Sequence, residues 1–240
     1  MIRRISLAGV HVDLYAHKDE LSRQVTGWLL RPEKSRQIVT LNARMLMTAL
    51  NHPRLAETIN KADLVTIDGF GIELAIKKRG YAQIVRIAGI DLVKELLAWG
   101  SFRQLPVFFY GGSREVVRHL RSNVPQRWPG LEVRGIWDGY GIELEREQVQ
   151  QEIIRCQPRL LLVGLGTPFQ ELFLGELLPR LPRTVGIGVG GALEVLTGVK
   201  VEVPLWLRHC GGEWFFRMLQ EPRKLNGLPD LIRFWLRFLR

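Results

Sequence analysis

The sequence has few cysteines, no long apolar run and a shortage of acidic residues. Its 240 residues include two cysteines, Cys156 and Cys210, in unrelated contexts. This excludes a disulfide framework and a zinc site built from clustered cysteines, and it fits a reducing cytosolic setting. The longest charge-free stretches, residues 160–170 and 184–193, fall short of the ~20 apolar residues that a membrane-spanning helix needs. The first apolar stretch is broken by polar residues before it reaches signal-peptide length, so we expect no secretion signal.

Acidic residues are outnumbered by basic ones. The 24 Asp and Glu residues stand against 34 Lys and Arg residues, which gives a formal net charge of +10. This excess favours anionic partners, such as nucleic acid, phosphorylated substrates or an anionic membrane surface. Hydrophobic residues make up 46% of the chain and charged residues 24%, which is typical of a folded globular protein. A chain of this length forms one large domain, or one domain with an appendage.

Short β-branched runs alternate with longer stretches of helical periodicity along most of the chain. This alternation predicts an α/β fold with a mostly parallel sheet. The predicted strands span residues 4–10, 37–41, 64–67, 106–110, 131–136, 159–164 and 184–188. The predicted helices span residues 18–30, 43–50, 53–61, 71–78, 90–99, 114–122, 144–155 and 169–178.

Five predicted strands end in polar or glycine-rich segments, which we call the strand tips. These are residues 40–42, 68–69, 111–113, 164–167 and 188–191. Ligands of parallel sheets bind outside the carboxyl ends of the strands, where N–H groups at helix starts can hold a diphosphate. The five tips together predict a phosphate-bearing ligand, although any single tip also fits a tight turn between strand and helix.

The polar residues at these tips are candidates for chemistry. Asp68 follows an apolar strand and precedes a glycine, so its carboxylate can serve as a general base, or cap a helix or turn. Thr40 and Asn42 can donate hydrogen bonds to sugar hydroxyls or phosphate, or can form a turn. Gln170 and Glu171 open a helix, where an amide can bind a ring hydroxyl and an acid favours the helix start.

Motifs for cofactors and metals are weak or missing. Residues 186–191 formally fit the glycine pattern of a dinucleotide site, but no acidic residue ends a strand about 20 positions later. The sequence contains no P-loop, no G-x-S-x-G and no H-E-x-x-H. We therefore expect neither a nicotinamide or flavin cofactor nor a metal.

The amino-acid composition changes near residue 200, after which Arg, Trp and Phe become frequent. We predict a main domain over residues 1–199 and a basic, amphipathic helical appendage over residues 200–240. Residues 231–240 place seven apolar side chains on one broad arc of a helix, with Arg233, Arg237 and Arg240 on the remainder. Such a helix docks on the domain with its arginines in solvent, or it lies on an anionic membrane.

Several of these segments resemble the WecG/TagA/CpsF family of bacterial glycosyltransferases, also called glycosyltransferase family 26. Each stretch is short, but their order and spacing make the combination specific over most of the chain. The stretches are TLNAR (40–44), ADLVTIDGFG (62–71), RIAGIDL (86–92), FYGG (109–112), GLGTPFQE (164–171) and EWFFRMLQEPR (213–223).

The resemblance implies a Rossmann-like enzyme with helices on both faces of its sheet. It would move a sugar from a UDP-sugar to a polyprenyl-diphosphate-linked saccharide of a bacterial surface polymer, inverting the anomeric centre without a required metal. The enzyme would be cytoplasmic and peripheral on the inner face of the cell membrane, with no nucleic-acid partner.

The resemblance also implies roles for individual residues. Asp68 matches the family's proposed base, while Arg217 and Arg223 lie on the segment that folds over the site, where guanidinium groups would stabilise the departing UDP. The residues predicted to contact substrate are Thr40, Asn42, Asp91, Gly111, Gly112, Gly166, Gln170, Glu171 and Gly190.

The chain departs from the family pattern at several positions. Glu194 stands where an aspartate is usual, Val201 and Glu202 replace a lysine and an arginine, and an expected arginine is missing at Gly227. Two basic residues that would meet phosphate are thereby lost, which makes a family member without transfer activity one alternative. Another is a non-catalytic basic protein that binds nucleic acid or anionic lipid, although no recognition helix or aromatic-basic strand platform appears.

Overall fold

The chain begins with an antiparallel hairpin. The structure, a computed structural model, describes residues 3–141, 143–220 and 227–238, without the side chains of residues 143, 144, 209, 217 and 218. Strand β1 (Arg3–Leu7) pairs with β2 (Val10–Leu14), and Ala8 and Gly9 form the turn at φ +53° and +88°. The single strand predicted over 4–10 is therefore wrong, because the chain reverses direction in the middle of that apolar run.

Six parallel strands form the main sheet, which confirms the predicted α/β class. Their order across the sheet is β4-β3-β8-β7-β5-β6, and every neighbouring pair is parallel. The strands are β3 (Arg36–Leu41), β4 (Leu64–Ile67), β5 (Pro106–Gly111), β6 (Glu132–Trp137), β7 (Leu160–Gly164) and β8 (Val185–Gly188). Their bounds agree with the predicted ones to within one residue.

Helices cover both faces of this sheet, as a Rossmann-like fold requires. They are α1 (Lys18–Leu30), α2 (Ala43–Asn51), α3 (Pro53–Lys61), α4 (Phe70–Lys77), α5 (Gly89–Ser101), α6 (Arg114–Arg127), α7 (Glu143–Cys156), α8 (Phe169–Leu177), α9 (Ala192–Leu196), α10 (Leu205–His209), α11 (Glu213–Gln220) and α12 (Leu228–Phe238). Helix α6 continues through Pro125, past the predicted end at residue 122.

The core lies on both sides of the sheet because alternate strand residues point to opposite faces. Ile38 and Leu162 pack with α1, α5, α6 and α9 on one face. Val39 packs with α2 and α3, and Leu161 with α7 and α8, on the other. Each fully buried side chain of this kind stabilises the fold by about 1.5–3 kcal/mol.

A side chain of the hairpin covers the free edge of β4. The buried carboxylate of Asp13 accepts the backbone N–H of Val65 at 2.8 Å. Arg4 donates to both oxygens of the same carboxylate at 2.8 Å, and to the carbonyl oxygen of Ala62 at 3.1 Å. The hairpin and this ion pair thus cover the edge of β4.

The C-terminal helices pack against the main body of the protein. Phe234 of α12 has no exposed surface and joins the core cluster that contains α2, and the ring of Phe238 lies 5.0 Å from it. Helix α12 therefore docks on the domain, as one of the two interpretations of this segment predicted. Its bounds differ from the predicted 231–240, and the domain boundary at residue 200 stays a prediction.

Among the helices of the described residues, none combines the length and the apolar character of a membrane-spanning segment.

Candidate active site

The strand tips lie side by side along one edge of the sheet. Because all six strands are parallel, Asp68, Asn42, Gly190, Gly166 and Gly112 follow the carboxyl ends of β4, β3, β8, β7 and β5 in spatial order. The sequence predicted this convergence, and it gathers the candidate residues along one rim.

Asp68 lies between the end of β4 and the start of α5. Its backbone N–H donates to the carbonyl oxygen of Leu41 at 2.9 Å, and its Oδ1 accepts the N–H of Gly89 at 3.4 Å. Gly69 then adopts φ +96°, a conformation that favours glycine, and the chain turns directly into α4. These contacts hold a half-buried carboxylate at the rim.

A cleft of about 260 Å³ opens beside Asp68. The ends of β3 and β4 form one wall, and the C-terminal helices form the other. The lining residues are Asn42, Ala43, Arg44, Asp68, Gly69, Phe70, Gly71, Gly211, Glu213, Trp214, Gly227, Leu228, Leu231 and Trp235. The lining therefore combines polar residues, among them Asn42, Arg44 and Asp68, with apolar tryptophan and leucine side chains.

The start of α4 also faces this cleft. Phe70 and Gly71 open the helix, line the cleft, and have no side-chain cap at the preceding residue, Gly69. A helix start carries partial positive charge and favours an anion nearby. Arg44 lines the same cleft and adds a guanidinium, so the cleft suits a phosphate-bearing group.

Several cleft residues were not singled out from the sequence. Arg44 and Trp214 belong to the stretches that resemble the family, but their spacing gave no signal of a shared cleft. Trp235 lies on the helix that was assigned to docking or membrane contact. Only the fold brings α2, α4, α11 and α12 to one place, because these segments lie up to about 190 residues apart.

Asn42 and Thr40 make internal contacts. Oδ1 of Asn42 accepts the N–H of Met45 at 3.0 Å and so caps α2, while the residue still lines the cleft. The Thr40 hydroxyl donates to the carbonyl oxygen of Gly188 at 3.4 Å, and the Thr40 side chain packs against Gly89. The residue is 6% exposed. Thr40 thus joins the β8 tip to the start of α5, and its contact with substrate stays a prediction.

Gln170 ties two glycine tips together. Its Oε1 accepts the N–H of Gly190 at 2.9 Å and that of Gly166 at 3.2 Å, and the residue is 3% exposed. The N–H of Gly112 likewise donates to the carbonyl oxygen of Gly164 at 3.2 Å. Because these N–H groups already have protein acceptors, the expected phosphate contacts at the glycine tips stay a prediction.

Glu171 fixes the orientation of Gln170. Nε2 of Gln170 donates to Oε1 of Glu171 at 2.6 Å, so the amide oxygen of Gln170 is left to face the two glycines. Glu171 is 1% exposed, and its Oε2 is buried without a hydrogen-bond partner. Burial raises the pKa of this carboxyl above its ordinary value, because the charged form loses its hydration.

Gly111 needs to be glycine. Its φ is +131°, and a Cβ there would stand 2.4 Å from the carbonyl oxygen of Gly164. The tips of β5 and β7 can therefore approach closely, and Ser113 then caps α6 by accepting the N–H of Val116 at 3.3 Å.

The two acidic residues that depart from the family pattern, Glu194 and Glu202, form ion pairs. Glu202 pairs with Lys94 and Arg208, and Arg208 also pairs with Asp91 at 3.1 Å. Glu194 pairs with Lys200 at 3.3 Å. Asp91, predicted to contact substrate, is thus engaged with Arg208 of α10, and the half-buried acid at position 202 is paired with two cations.

Gly227, where an arginine was expected, packs against Arg44: a Cβ there would lie 3.3 Å from Arg44 Nε. Arg217 lies on α11, but its side chain is not described, and Arg223 lies outside the described residues. The charge-stabilising roles expected of these two arginines stay predictions. In the part of the chain that the structure covers, no three His, Cys, Asp or Glu side chains cluster as metal ligands do.

Comparisons with known proteins identify the family to which the chain is similar. Residues 5–240 match the family described as "Glycosyl transferase WecG/TagA/CpsF family". An N-acetylglucosaminyldiphosphoundecaprenol N-acetyl-beta-D-mannosaminyltransferase of Bacillus spizizenii (strain ATCC 23059 / NRRL B-14472 / W23) is 32% identical over 206 residues, which cover 85% of this chain and 79% of the relative. A protein of the same name from Bacillus subtilis (strain 168) is 27% identical over 203 residues, covering 85% and 78% of the two chains.

Proposed function

Since the chain belongs to the WecG/TagA/CpsF family of glycosyl transferases and is a hexosyltransferase of that type, we propose that it transfers an N-acetylhexosaminyl group from a UDP-sugar to N-acetylglucosaminyl-diphosphoundecaprenol. The relatives' names supply the acceptor and suggest N-acetylmannosamine as the sugar. The observation that carries the proposal is the position of Asp68 in a cleft lined by both polar and apolar side chains.

Asp68 serves as the general base of this reaction. Its carboxylate takes the proton of the acceptor hydroxyl while that oxygen attacks the anomeric carbon, and the bond from that carbon to UDP breaks. Attack from the side opposite UDP inverts the anomeric centre. The N–H of Gly89, 3.4 Å from Oδ1, helps to orient the carboxylate towards the cleft.

The leaving UDP carries growing negative charge, which cations and helix starts stabilise. Arg44 and the start of α4 supply positive potential in the cleft. Arg217 and Arg223 add guanidinium groups from the C-terminal segment in this proposal. Arg44 also packs against Gly227, so it provides a cation close to the position where the family arginine is missing.

The acceptor is amphipathic, and so is the cleft. Asn42, Arg44 and Asp68 suit the saccharide and diphosphate, while Trp214, Leu231 and Trp235 suit the first units of the polyprenyl chain. Helix α12 leaves Ile232 and Leu236 exposed. Together with Arg233 and Arg237, these side chains support a peripheral position on the inner face of the cell membrane.

The test is UDP release from a panel of UDP-sugars, measured with and without N-acetylglucosaminyl-diphosphoundecaprenol. We expect acceptor-dependent release that falls by ~10² or more in Asp68→Asn, because the base is lost while its shape remains. Asp138→Asn is the matched control, since Asp138 follows β6 at the far end of the same sheet edge. Full turnover by Asp68→Asn would show that Asp68 is not the base. If the wild type released no UDP from any UDP-sugar of the panel, the proposed reaction would be overturned.

A further inference from the structure

A buried arginine joins the C-terminal segment to helix α5. Arg208, on α10, is 6% exposed. Its Nη1 donates to both carboxylate oxygens of Asp91 at 3.1 Å, its Nε donates to the carbonyl oxygen of Val203 at 2.9 Å, and its Nη2 pairs with Glu202. Glu202 in turn pairs with Lys94 of α5. We call these four charged residues, Asp91, Lys94, Glu202 and Arg208, the charge cluster.

A second arginine attaches the same short helix to α4. Nη1 of Arg86 donates to the backbone carbonyl oxygen of Arg208 at 3.0 Å, and its Nε contacts Glu73 of α4 at 3.2 Å. Gly211, just after α10, lies against the ring of Phe70, so closely that a Cβ there would stand 2.6 Å from the ring. Helix α10 is thus bound to both α4 and α5.

These two helices begin on either side of Asp68. Helix α5 starts at Gly89, whose N–H donates to Asp68, and Asp91 lies two residues further along the same turn. Helix α4 starts at Phe70, one residue after Gly69. The segment that follows α10 lines the cleft through Gly211, Glu213 and Trp214. The charge cluster therefore lies between the cleft wall formed by this segment and the helix start that contacts Asp68.

The attachment of α10 depends on each charged residue of the cluster. A buried guanidinium is stable only when carboxylates and carbonyl oxygens take up its donors, and removing one partner leaves an uncompensated charge. Asp91 and Glu202 both accept from Arg208, although Asp91 and Glu202 lie on different elements. Glu202, which departs from the family pattern, therefore helps to compensate the charge of Arg208.

We propose that Arg208, held by Asp91 and Glu202, is a positioning residue that keeps the chain from α10 to α11 packed over the Asp68 cleft. It touches no reacting atom; it acts through α5 and through the cleft wall that begins at Gly211. In its kinetic part, this inference rests on the proposed function.

The test combines hydrogen–deuterium exchange of the full chain with kinetics, using Arg208→Gln and Asp91→Asn, singly and together. In Arg208→Gln we expect faster exchange over residues 199–212 and unchanged exchange in β3, β7 and β8. We expect kcat to fall ~10-fold or more, because small displacements at a reacting centre are costly, while KM for the UDP-sugar changes less than about twofold. The double variant should lose no more than the larger single loss, because both changes break the same contact.

Arg208→Lys keeps a cation and should recover part of both the exchange protection and kcat. Arg155→Gln is the matched control, since Arg155 pairs with Glu152 on the far surface and should change neither measurement. Unchanged exchange over 199–212 in Arg208→Gln would overturn the proposal. So would faster exchange throughout the sheet with unchanged kcat, which marks a role in overall stability. If the wild type shows no transfer, the proposed function fails, and the exchange data alone decide whether Arg208 keeps this part of the chain packed.

Discussion

The ring of Phe234 lies directly on Gly71. A Cβ at residue 71 would stand 3.0 Å from Cε1 of that ring. Phe234 belongs to the last helix of the chain, and Gly71 is the second residue of α4, the helix that begins beside Asp68. The C-terminal helix therefore packs onto the first turn of a helix that lines the candidate active site, and the close approach depends on glycine.

This packing predicts a large difference between two substitutions in the same helix. Phe234→Ala removes a fully buried ring and should lower the free energy of unfolding by about 3–5 kcal/mol. Ile232→Ala, on the exposed side of α12, should change it by about 0.5 kcal/mol or less. Urea unfolding monitored by circular dichroism measures both. If Phe234→Ala lowered the free energy of unfolding as little as Ile232→Ala does, α12 would contribute little to the fold.

The exposed face of α12 predicts binding to anionic vesicles. Replacing Ile232 and Leu236 together by serine should weaken binding ~10-fold or more, because both side chains are exposed and available to lipid. Cosedimentation with vesicles that contain phosphatidylglycerol measures this effect. Vesicles of neutral lipid serve as the control, and they should bind the wild type more weakly. Undiminished binding of the double variant would place the lipid contact elsewhere.

Burial of Glu171 predicts a dependence of stability on pH. Its pKa is raised in the folded protein, so the folded state binds more protons than the unfolded state above the ordinary carboxyl pKa. Ionisation of Glu171 therefore costs stability as the pH rises from that ordinary value through the raised one.

Glu171→Gln should remove this cost while keeping an acceptor for Gln170. Its free energy of unfolding, relative to wild type, should increase with pH, by about 1.4 kcal/mol for each unit of the pKa shift. Urea unfolding at pH 4.5 and pH 8 measures the difference. Glu171→Leu, which leaves Nε2 of Gln170 without an acceptor, should be less stable than Glu171→Gln at both pH values. A difference between Gln and wild type that does not vary with pH would contradict this account.

Most of the main sheet could be predicted from sequence because buried parallel strands are continuous apolar runs with polar or glycine ends. Helices α1 and α3 have the predicted bounds; Pro53, for example, marks the start of α3. The hairpin could not be predicted, because Ala8 adopts a positive φ that is unusual for alanine and the surrounding residues read as one strand.

The site was predictable only in part. Asp68 and Asn42 end adjacent strands, so topology alone brings them to one wall of the cleft. The pair of Arg208 and Asp91 joins residues 117 positions apart, and no local pattern indicates it. Gln170 is polar and follows a strand tip, but sequence does not reveal whether such an amide faces the rim or, as here, the glycines behind it.

The ion pair of Arg4 and Asp13 has a consequence for self-association. A bare outer strand invites a second molecule to extend the sheet through backbone hydrogen bonds. Here the N–H of Val65 is already taken by Asp13, and the hairpin lies alongside β4. The hairpin therefore covers this edge of the main sheet, and a second copy of the chain cannot add a strand to β4 without displacing the hairpin.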